Sequence, residues 1–492
     1  MTTLKSGVLA TPQAAAPLAF DPDLVRKYDH AGPRYTSYPT ADRFHEAFGP
    51  ADYVQALITR RETRPHDPLS LYVHVPFCNT LCFYCGCNKV ITKDHGRSAK
   101  YIRYLAREIG IVSSLLEGPR PVVQLHLGGG TPTFLARDEM ADLMAHLRRG
   151  FAIQPDAEIS IEVDPRKVDA ATVAFLAGLG FNRISVGVQD FDPDVQQAVN
   201  RVQSEAETRV VIDAARANGF VSVNTDLIYG LPRQTLPGFS ATLDKVIDAA
   251  PDRIALYNYA HLPHLFKPQR RILDAELPSP ETKLAILALA IEKLGAAGYV
   301  YIGMDHFAKP EDELARAQVE GRLHRNFQGY TTRPECDLVA FGISAIGKVG
   351  RTYAANVKTL DEYYERLDRG ILPVKRGYQL TDDDLVRRDA IARLMCDFEL
   401  SPRAFGARHG FRFEGRVFYV PSSVLPEAQK LREVLRTVGA SFGQFVPGLP
   451  ETAAISSTAP AAHAGNTCIA KTATSSQRVR AGTVIVGKVK QA

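Results

Sequence analysis

The chain lacks the long apolar run that a membrane span requires. No run of about 18 consecutive apolar residues occurs among the 492 residues, although 45% of them are hydrophobic. The first twenty residues hold one Lys, no Arg and only short apolar runs, so the charged and apolar regions of an export signal are missing. We therefore expect a cytoplasmic protein without a membrane partner.

A charge excess is also absent from most of the chain. The net charge is +5, but residues 421–492 contain eight basic and three acidic side chains, which account for the whole excess. Residues 1–420 are neutral, with 51 basic and 51 acidic side chains. A nucleic-acid-binding function loses its main support, because such proteins present a basic surface.

Cysteine is scarce, and four of the seven cysteines fall between Cys78 and Cys87. In a chain without an export signal, such a cluster indicates metal binding or redox chemistry before disulfides. Cys78, Cys82 and Cys85 have the spacing CxxxCxxC. Three thiolates on one tight loop can hold three irons of a four-iron four-sulfur cluster and leave the fourth iron open to another ligand. An open position is typical of a catalytic metal centre.

Two other metal sites are compatible with the same cysteines. A structural zinc ion could use these three thiolates with Cys87 or a nearby His. Structural zinc sites usually bring two ligand pairs separated by a spacer, however, and no second pair follows. A closed electron-transfer cluster would use all four cysteines and would not need the long run of strands and helices that follows them.

From residue 70 onward, short apolar, β-branched runs alternate with amphipathic segments. Six runs predict strands, at residues 70–75, 123–127, 158–163, 183–188, 223–230 and 253–260. Helical spacing between them predicts repeated βα units, with parallel strands and helices packed outside. The predicted fold class is therefore α/β, a partial (β/α)6 barrel. In that architecture the functional residues gather at the carboxyl ends of the strands.

Regular patterning is missing at both ends of the chain. We assign residues 1–66 to an N-terminal arm and residues 67–375 to the barrel with an extension. A small, incomplete helical C-terminal domain follows over residues 376–411. Residues 412–492 form a divergent tail, and the last 41 residues contain no acidic side chain. Their richness in Ala, Ser, Thr and Gly does not suit a packed core, so we predict a disordered tail.

Polar or glycine-rich residues follow the predicted strands, and we expect them to face one opening. They are His74, Gly128 to Thr131, Glu162 with Asp164, Gln189 with Asp190, Asp226, and Tyr259 to His261. Glycine lets a ligand approach the backbone closely, although three glycines are equally compatible with a tight turn. Neighbouring helix ends could likewise satisfy each polar side chain. Their occurrence in register on successive strands favours a ligand site.

Taken together, several blocks of the sequence resemble the radical S-adenosylmethionine superfamily and, within it, the oxygen-independent coproporphyrinogen III oxidase family. The resemblance runs from about residue 27 to about residue 400 and rests on RYTSYPTA, CGCNK, GGGTPT, EISIEVDPR, GVQDF, NTDLIYGLP, YNYAHLP, GMDHFA and HRNFQGYTT. It implies a [4Fe–4S] cluster that reductively cleaves S-adenosylmethionine, and a 5′-deoxyadenosyl radical that takes hydrogen from a propionate. Loss of carbon dioxide and one electron then leaves a vinyl group. Two rounds convert coproporphyrinogen III into protoporphyrinogen IX in haem biosynthesis.

The resemblance also implies roles for single residues. Cys78, Cys82 and Cys85 would ligate the cluster. Iron-bound S-adenosylmethionine would contact Tyr72, which counts with the cysteines as catalytic, and Gly129, Glu162 and Ile346. A second S-adenosylmethionine would contact Tyr84, Gly130, Thr131, Gln189, Arg201, Asp226 and Ala260. Relatives often carry Phe where this chain has Tyr84, a change that a backbone contact tolerates.

The implied substrate carries four carboxylates, so basic side chains are expected near the opening. Arg34, Lys89 and Arg325 are the candidates. The resemblance further implies an electron donor and an electron acceptor of unknown identity. We expect a monomeric chain and, from its charge and hydropathy, no nucleic-acid or membrane partner.

Two other functions fit part of the pattern. A haem-trafficking relative shares the cluster loop and the barrel, but it usually lacks a cysteine at the position of Cys87 and the RYTSYPT segment, and both are present here. A zinc-stabilised, non-catalytic binding barrel belongs to a different class. The family usually ends in a run rich in Arg, Asn and aromatic residues. Residues 412–492 show no such run, and we interpret them as a shifted reading frame or a diverged end.

Overall fold

The computed structural model describes residues 38–118, 120–333, 336–398, 400 and 402–410. Most of the predicted N-terminal arm, including Arg34, and the predicted tail over residues 412–492 lie outside the described residues. Among the helices that are described, none combines the length and the apolar character needed to cross a membrane.

The described chain alternates strands and helices through its first two thirds. Up to residue 258 the elements are α1 (Pro50–Thr63), β1 (Leu69–Val75), β2 (Phe77–Cys78), β3 (Val90–Ile91), α2 (Gly96–Leu116), β4 (Pro121–Gly129), α3 (Arg137–Gly150), β5 (Ala152–Val163), α4 (Ala170–Gly178), β6 (Arg183–Gln189), α5 (Pro193–Ala198), α6 (Glu205–Ala217), β7 (Ser222–Tyr229), α7 (Leu236–Ala249) and β8 (Arg253–Asn258). Each of the six predicted strands overlaps one of these strands.

The last third is shorter in its elements and less regular. It contains α8 (Pro280–Ala296), β9 (Val300–Gly303), β10 (His306–Ala308), α9 (Glu313–Val319), β11 (His324–Arg325), β12 (Tyr330–Thr331), β13 (Asp337–Phe341), β14 (Ile346–Val349), β15 (Thr352–Asn356), α10 (Leu360–Asp368), β16 (Val374–Gln379), α11 (Asp382–Cys396) and α12 (Pro402–His409).

Twelve of these strands form one sheet, in the order β16-β15-β14-β13-β1-β4-β5-β6-β7-β8-β10-β9. The strands from β13 to β8 pair in parallel, and antiparallel strands extend both edges. The described sheet is open, because β16 and β9 stand at its two ends without pairing to each other. The predicted α/β class and partial barrel are confirmed.

The central strands have one apolar face and one polar face. In β1, Leu69, Leu71, Val73 and Val75 are fully buried in the core beneath the helices. Successive side chains of a strand point to opposite faces, so the intervening positions face inward. Inward residues that line a cavity of about 210 Å³ include Ser70, Gln124, His126, Glu158, Ser160, Glu162, Ser185, Asn224 and Asp226. The helix layer therefore supplies the hydrophobic core, and the concave side of the sheet supplies a polar cavity.

Charged side chains form ion pairs at the amino ends of the strands, where Arg183 and Arg253 line this cavity. Arg253 at the start of β8 donates to Asp312 (2.8 Å) and Glu313 (2.7 Å). Arg183 at the start of β6 donates to the other oxygen of Glu313 (2.9 Å). These bonds tie α9 and its N-cap to two strands of the sheet.

The described part of the predicted C-terminal domain begins on the edge strand β16 and continues in α11. Thr381 caps α11 by accepting from the Asp384 amide (3.1 Å), while the Asp384 carboxylate accepts from the Thr381 amide (3.0 Å). The Tyr38 hydroxyl also donates to Asp384 (2.6 Å), and Arg43 donates to it at 3.1 Å. These bonds join the first described residues to the C-terminal helix. The predicted boundaries of the domains stay predictions.

Candidate active site

The cysteine loop lies between β2 and β3, at the carboxyl end of β1. The parallel pairing of Phe77 with Val90 and of Cys78 with Ile91 closes the loop. The Thr131 hydroxyl donates to the Cys78 sulfur (3.5 Å). Thr131 follows the glycine run at the end of β4, so the loop and the end of β4 meet at the first predicted ligand.

The other two predicted ligands also have donors at their sulfur atoms. Arg166 and Arg201 lie 3.9 Å and 3.7 Å from the Cys82 sulfur. A hydrogen bond from the Cys87 thiol is the main cause that lowers the pKa of Cys85 to about 6, against the effect of burial. Donors and cations at a sulfur atom favour the thiolate, which is the form that binds metal. At Cys78 the effect of burial is larger than that of the Thr131 hydroxyl and raises the pKa of the thiol to about 11.

The donor set therefore fits a cluster held by three thiolates. Each predicted ligand sulfur meets an O–H, N–H or S–H donor, and such outer contacts orient metal ligands and tune the bound metal. Within the described residues no three His, Cys, Asp or Glu side chains converge on the position of a single metal ion. A four-iron cluster takes each thiolate on a different iron.

The glycine run at the end of β4 leaves no room for side chains. A Cβ atom would lie 2.8 Å from Glu162 at Gly128, 2.7 Å from the His74 ring at Gly129, and 2.6 Å from the Pro76 carbonyl oxygen at Gly130. The Gly130 amide donates to the Val75 carbonyl (2.8 Å), and the following amide donates to the Phe77 carbonyl (2.8 Å). The run thus holds the start of the cysteine loop against β4.

Tyr72 and Glu162, predicted from separate blocks, meet through His126. The Tyr72 ring stacks on His126 with centroids 5.8 Å apart and planes at 14°. His126 Nε2 lies 3.2 Å from one Glu162 oxygen, and the Gly129 amide donates to the other at 3.1 Å. Burial alone would raise the pKa of Glu162, but the contacts with His126 and Gly129 lower it below its usual value. Glu162 is therefore held as a carboxylate that can accept from an ammonium or a hydroxyl group.

The sequence interpretation missed His126. It stands on the polar face of β4, two residues before Gly128, so the alternation of the predicted strand at 123–127 carried the signal.

Ile346 opens β14, two strands from Tyr72 in the sheet. Tyr72 pairs with Ala340 of β13, and β14 runs antiparallel to β13 through the pair Leu338 and Lys348. This register places Ile346 at the edge where the carboxyl ends of the parallel strands lie, although its side chain packs with a cluster that contains Tyr353.

Gln269 joins two positions that the resemblance assigned to a second ligand. Its side-chain amide donates to the Tyr84 carbonyl (2.8 Å) and the Ala260 carbonyl (3.2 Å), and its oxygen accepts from the Leu262 amide (2.6 Å). Only 2% of Gln269 is exposed. Because Gln269 binds the backbone carbonyl of Tyr84, a Phe side chain at that position would leave this hydrogen bond intact. Gln269 lies in a short 3-10 helix whose sequence gave no periodic signal.

Arg201 is buried next to Cys82. It donates to the Gly187 carbonyl (2.7 Å) and lies 3.4 Å from the Asp164 carboxylate. The Arg166 guanidinium donates two hydrogen bonds to the same carboxylate, at 2.9 Å and 2.6 Å. Two guanidinium groups thus share one carboxylate, which leaves positive charge available for an anionic ligand. Both residues belong to the EVDPR block. Asp164 was expected at the opening together with Glu162, whereas Arg166 was not assigned a role from the sequence.

Asp190 does not face the cavity, so that prediction is wrong. Its carboxylate accepts from Thr242 of α7 (2.6 Å) and from Gln234 (2.6 Å), and only 2% of the residue is exposed. The preceding Gln189 has φ = 67°, in the left-handed region, which turns the backbone at the end of β6. Gln189 stays at the end of its strand, while Asp190 supports the helix layer.

Asp226 lines the cavity on β7. It accepts from the Ser185 hydroxyl (3.0 Å) and from the Asn224 amide (2.8 Å). Burial, followed by the nearby charge of Glu162, raises the pKa of Asp226 to about 6. The folded chain therefore holds a proton on Asp226 between pH 3.8 and about 6 that the unfolded chain has released.

We expect Asp226→Asn to stabilise the fold at neutral pH. A raised carboxyl pKa makes the group increasingly unfavourable to folding as the pH rises from 3.8 to about 6, and the full cost applies above that range. The substitution should raise the melting temperature by roughly 1–3 °C at pH 7.5 and leave it unchanged below pH 3.8. Asp142→Asn, on the exposed face of α3, serves as the control. An equal gain at both pH values would contradict the assignment.

The predicted substrate residues occupy different places. The Arg325 guanidinium lies 4.6 Å from the centre of the Tyr330 ring, which lines the cavity. Burial, followed by the charge of Arg325, lowers the pKa of His306 on the same wall to about 3. The Lys89 ammonium instead donates to the Cys85 carbonyl (2.8 Å) on the cysteine loop. Arg34 lies outside the described residues, and the substrate role of all three stays a prediction.

Comparison with known proteins points to one family. Residues 72–246 match the radical SAM superfamily. An oxygen-independent coproporphyrinogen III oxidase of Pseudomonas aeruginosa is 52% identical over 80% of this chain and 86% of its own length. Proteins of the same name from Escherichia coli and Synechocystis are 50% and 46% identical, over 77% and 80% of this chain and 82% and 84% of their own lengths.

One solved structure is similar over most of its length. It is the coproporphyrinogen III oxidase of Escherichia coli, described as a radical SAM enzyme, with a TM-score of 0.77 and 47% identity. The match covers 81% of this chain and 89% of that protein. The sheet and the cavity described above thus belong to a known architecture.

Proposed function

Because the chain belongs to the oxygen-independent coproporphyrinogen III oxidase family, we propose that it converts coproporphyrinogen III into protoporphyrinogen IX in haem biosynthesis. The observation that carries this function is identity near one half across about four fifths of the chain. It is an oxidoreductase that uses a [4Fe–4S] cluster and S-adenosylmethionine. Each round removes one hydrogen, one electron and carbon dioxide from a propionate and leaves a vinyl group.

The residues at the carboxyl edge of the sheet fit these cofactors. When bound, the cluster and S-adenosylmethionine supply the 5′-deoxyadenosyl radical that takes hydrogen from the propionate. Cys78, Cys82 and Cys85 would hold the cluster, each with its own donor. Glu162 would accept a hydrogen bond from the amino group or a hydroxyl of S-adenosylmethionine, because His126 and Gly129 keep it ionised. Tyr72, Gly129 and Ile346 would complete that binding surface.

A second S-adenosylmethionine would bind beside the first. The proposed contacts are Tyr84, Gly130, Thr131, Gln189, Arg201, Asp226 and Ala260. Two observations support them: Gln269 holds the Tyr84 and Ala260 carbonyls together, and Arg201 lies next to Cys82 with donors to spare. Equilibrium dialysis of the reconstituted chain should give two S-adenosylmethionine molecules per chain, with Gln269→Ala weakening one of them. A ratio of one in the parent chain would remove this proposal.

Anaerobic turnover tests the main function. The full chain is reconstituted with iron and sulfide, reduced with dithionite, and supplied with S-adenosylmethionine and coproporphyrinogen III. We expect 5′-deoxyadenosine together with monovinyl and divinyl products. Haem binding without vinyl products would favour the haem-trafficking function instead. Zinc in place of iron after purification and failed reconstitution would favour a non-catalytic barrel.

Loss of a substrate-binding cation should change substrate affinity alone. Arg325→Gln is expected to raise the KM for coproporphyrinogen III by about tenfold to a hundredfold, the usual cost of one charge-assisted hydrogen bond. Binding of S-adenosylmethionine should not change. Lys89→Gln and Arg34→Gln should act in the same direction, and Arg322→Gln, an exposed residue paired with Glu320, is the control. Unchanged kinetics in the first three variants would remove the hypothesis.

The remaining assignments concern partners and location. The chain would act as a cytoplasmic monomer, with an electron donor and an electron acceptor that are proteins or small molecules. Sedimentation of the reconstituted chain checks the monomer, because a dimer would sediment at twice the mass.

A further inference from the structure

An exposed segment lies directly on the cysteine loop. We call residues 264–273 the strap; it follows β8 and contains a short 3-10 helix. A Cβ atom on Gly86 would lie 3.1 Å from the Phe266 ring, so that ring packs on the loop. The Arg271 guanidinium lies 5.1 Å from the centre of the Phe83 ring. The strap therefore covers the stretch of loop that begins between Cys82 and Cys85.

The outer surface of the strap is basic. Lys267, Arg270 and Arg271 are exposed, and residues 264–273 contain no acidic side chain. The acids that follow are engaged elsewhere: Asp274 lies 2.9 Å from the His261 ring, and Glu276 accepts from Arg233. Within the described residues no carboxylate forms an ion pair with the three cations. The strap thus presents uncompensated positive charge above the loop.

Apolar side chains are exposed among these cations. Leu265 and Leu273 are 64% and 62% exposed. Val202, 65% exposed, lies three residues after Val199, whose carbonyl accepts from the Phe83 amide of the loop (2.9 Å). Single exposed apolar residues are ordinary, but each of these three lies within three residues of a direct contact with the loop. Apolar groups with a charged rim are the composition of a protein interface.

The proposed function requires an electron from outside the chain, delivered to the cysteine loop. We propose that the strap is the docking surface for an acidic protein that donates one electron to the cluster. In this step the donor is oxidised by one electron and the cluster is reduced by one electron, and no bond breaks. The inference rests on the proposed function, because only a redox centre on the loop needs such a partner.

Charge complementarity decides the kind of partner. Lys267 and Arg270 are exposed on the outside of the strap, whereas the cavity is lined by the inward face of the strands. A small tetracarboxylate would bind these cations without needing the exposed leucines, while an acidic protein surface uses both. Electrostatic attraction of this kind speeds encounter and weakens with salt.

The experiment uses the full chain, reconstituted under anaerobic conditions, and reduced flavodoxin, an acidic FMN protein, as the probe. The variant is Lys267→Glu with Arg270→Glu. Its control is Arg148→Glu with Arg149→Glu at the end of α3, which changes the net charge equally. Arg148 matches Arg270 because each donates to a backbone carbonyl. Binding of flavodoxin, the rate of cluster reduction and dithionite-driven turnover are measured for each protein.

The strap variant should bind flavodoxin at least about tenfold more weakly at low salt, with the difference shrinking at high salt. The α3 control should stay within about twofold of the parent. Dithionite-driven turnover and the KM for coproporphyrinogen III should match the parent in both. Equal binding by parent and strap variant, or no binding by the parent, overturns the proposal. A raised KM with dithionite also overturns it, because the cations would then bind substrate. Failure of the proposed function shows separately, as parent protein without vinyl products under dithionite.

Discussion

Replacing Cys78, Cys82 or Cys85 with serine is expected to abolish cluster incorporation and lower turnover by roughly a thousandfold or more. A serine hydroxyl stays protonated near neutral pH and is a poor iron ligand, so one iron loses its attachment to the protein. Each of these sulfurs also has its own donor, which a shorter C–O bond would displace. Iron and sulfide analysis, with electron paramagnetic resonance of the reduced protein, measures the loss.

Cys87 provides the matched control on the same loop. Its thiol donates to Cys85, and the residue itself is exposed. Cys87→Ser should therefore keep its iron and sulfide, as should Cys336→Ser, where the thiol is buried outside the loop. If Cys87→Ser lost iron as completely as Cys85→Ser, a closed cluster with four cysteine ligands would replace the open iron.

Gly130→Ala is expected to be nearly as damaging, although it adds a single methyl group. The Cβ atom would lie 2.6 Å from the Pro76 carbonyl oxygen and 2.8 Å from that of Phe77. These backbone atoms directly precede Cys78 and cannot move without carrying the ligand with them. We expect poor cluster incorporation and a loss of turnover of about a hundredfold or more.

Gly110→Ala is the control for Gly130→Ala, because no atom lies within 4 Å of a Cβ atom built at Gly110. Gly110 is inside α2, where alanine should stabilise the helix by about 0.5–1 kcal/mol. Iron content and turnover should stay at the parent level. A Gly130→Ala protein with full iron and normal turnover would show that the glycine turn can shift without disturbing the loop.

The central strands could be predicted because their pattern is local. In β1 the buried Leu71 and Val73 alternate with inward side chains such as Tyr72, and this alternation is visible in the sequence. The antiparallel strands on either side of the parallel ones had a weaker signal. β14 is four residues long and β10 three, and both depend on antiparallel pairing with neighbours already in the sheet.

Site residues could be proposed from the sequence where a side chain carries the chemistry. They could not be proposed where a residue acts by binding backbone groups. The spacing of Cys78, Cys82 and Cys85 indicated metal binding directly. Gln269 acts on two carbonyl groups from distant segments, which no spacing reveals. Asp190 was placed wrongly because the left-handed φ of Gln189 cannot be read from a residue that is not glycine or asparagine.

The ion pairs between α9 and the first residues of β6 and β8 put paired charges at the amino ends of the strands, opposite the cysteine loop. Both propionates would react beside that one loop, so the macrocycle has to turn between the two rounds before its second propionate reaches the same position. A time course should therefore show monovinyl product before the divinyl product.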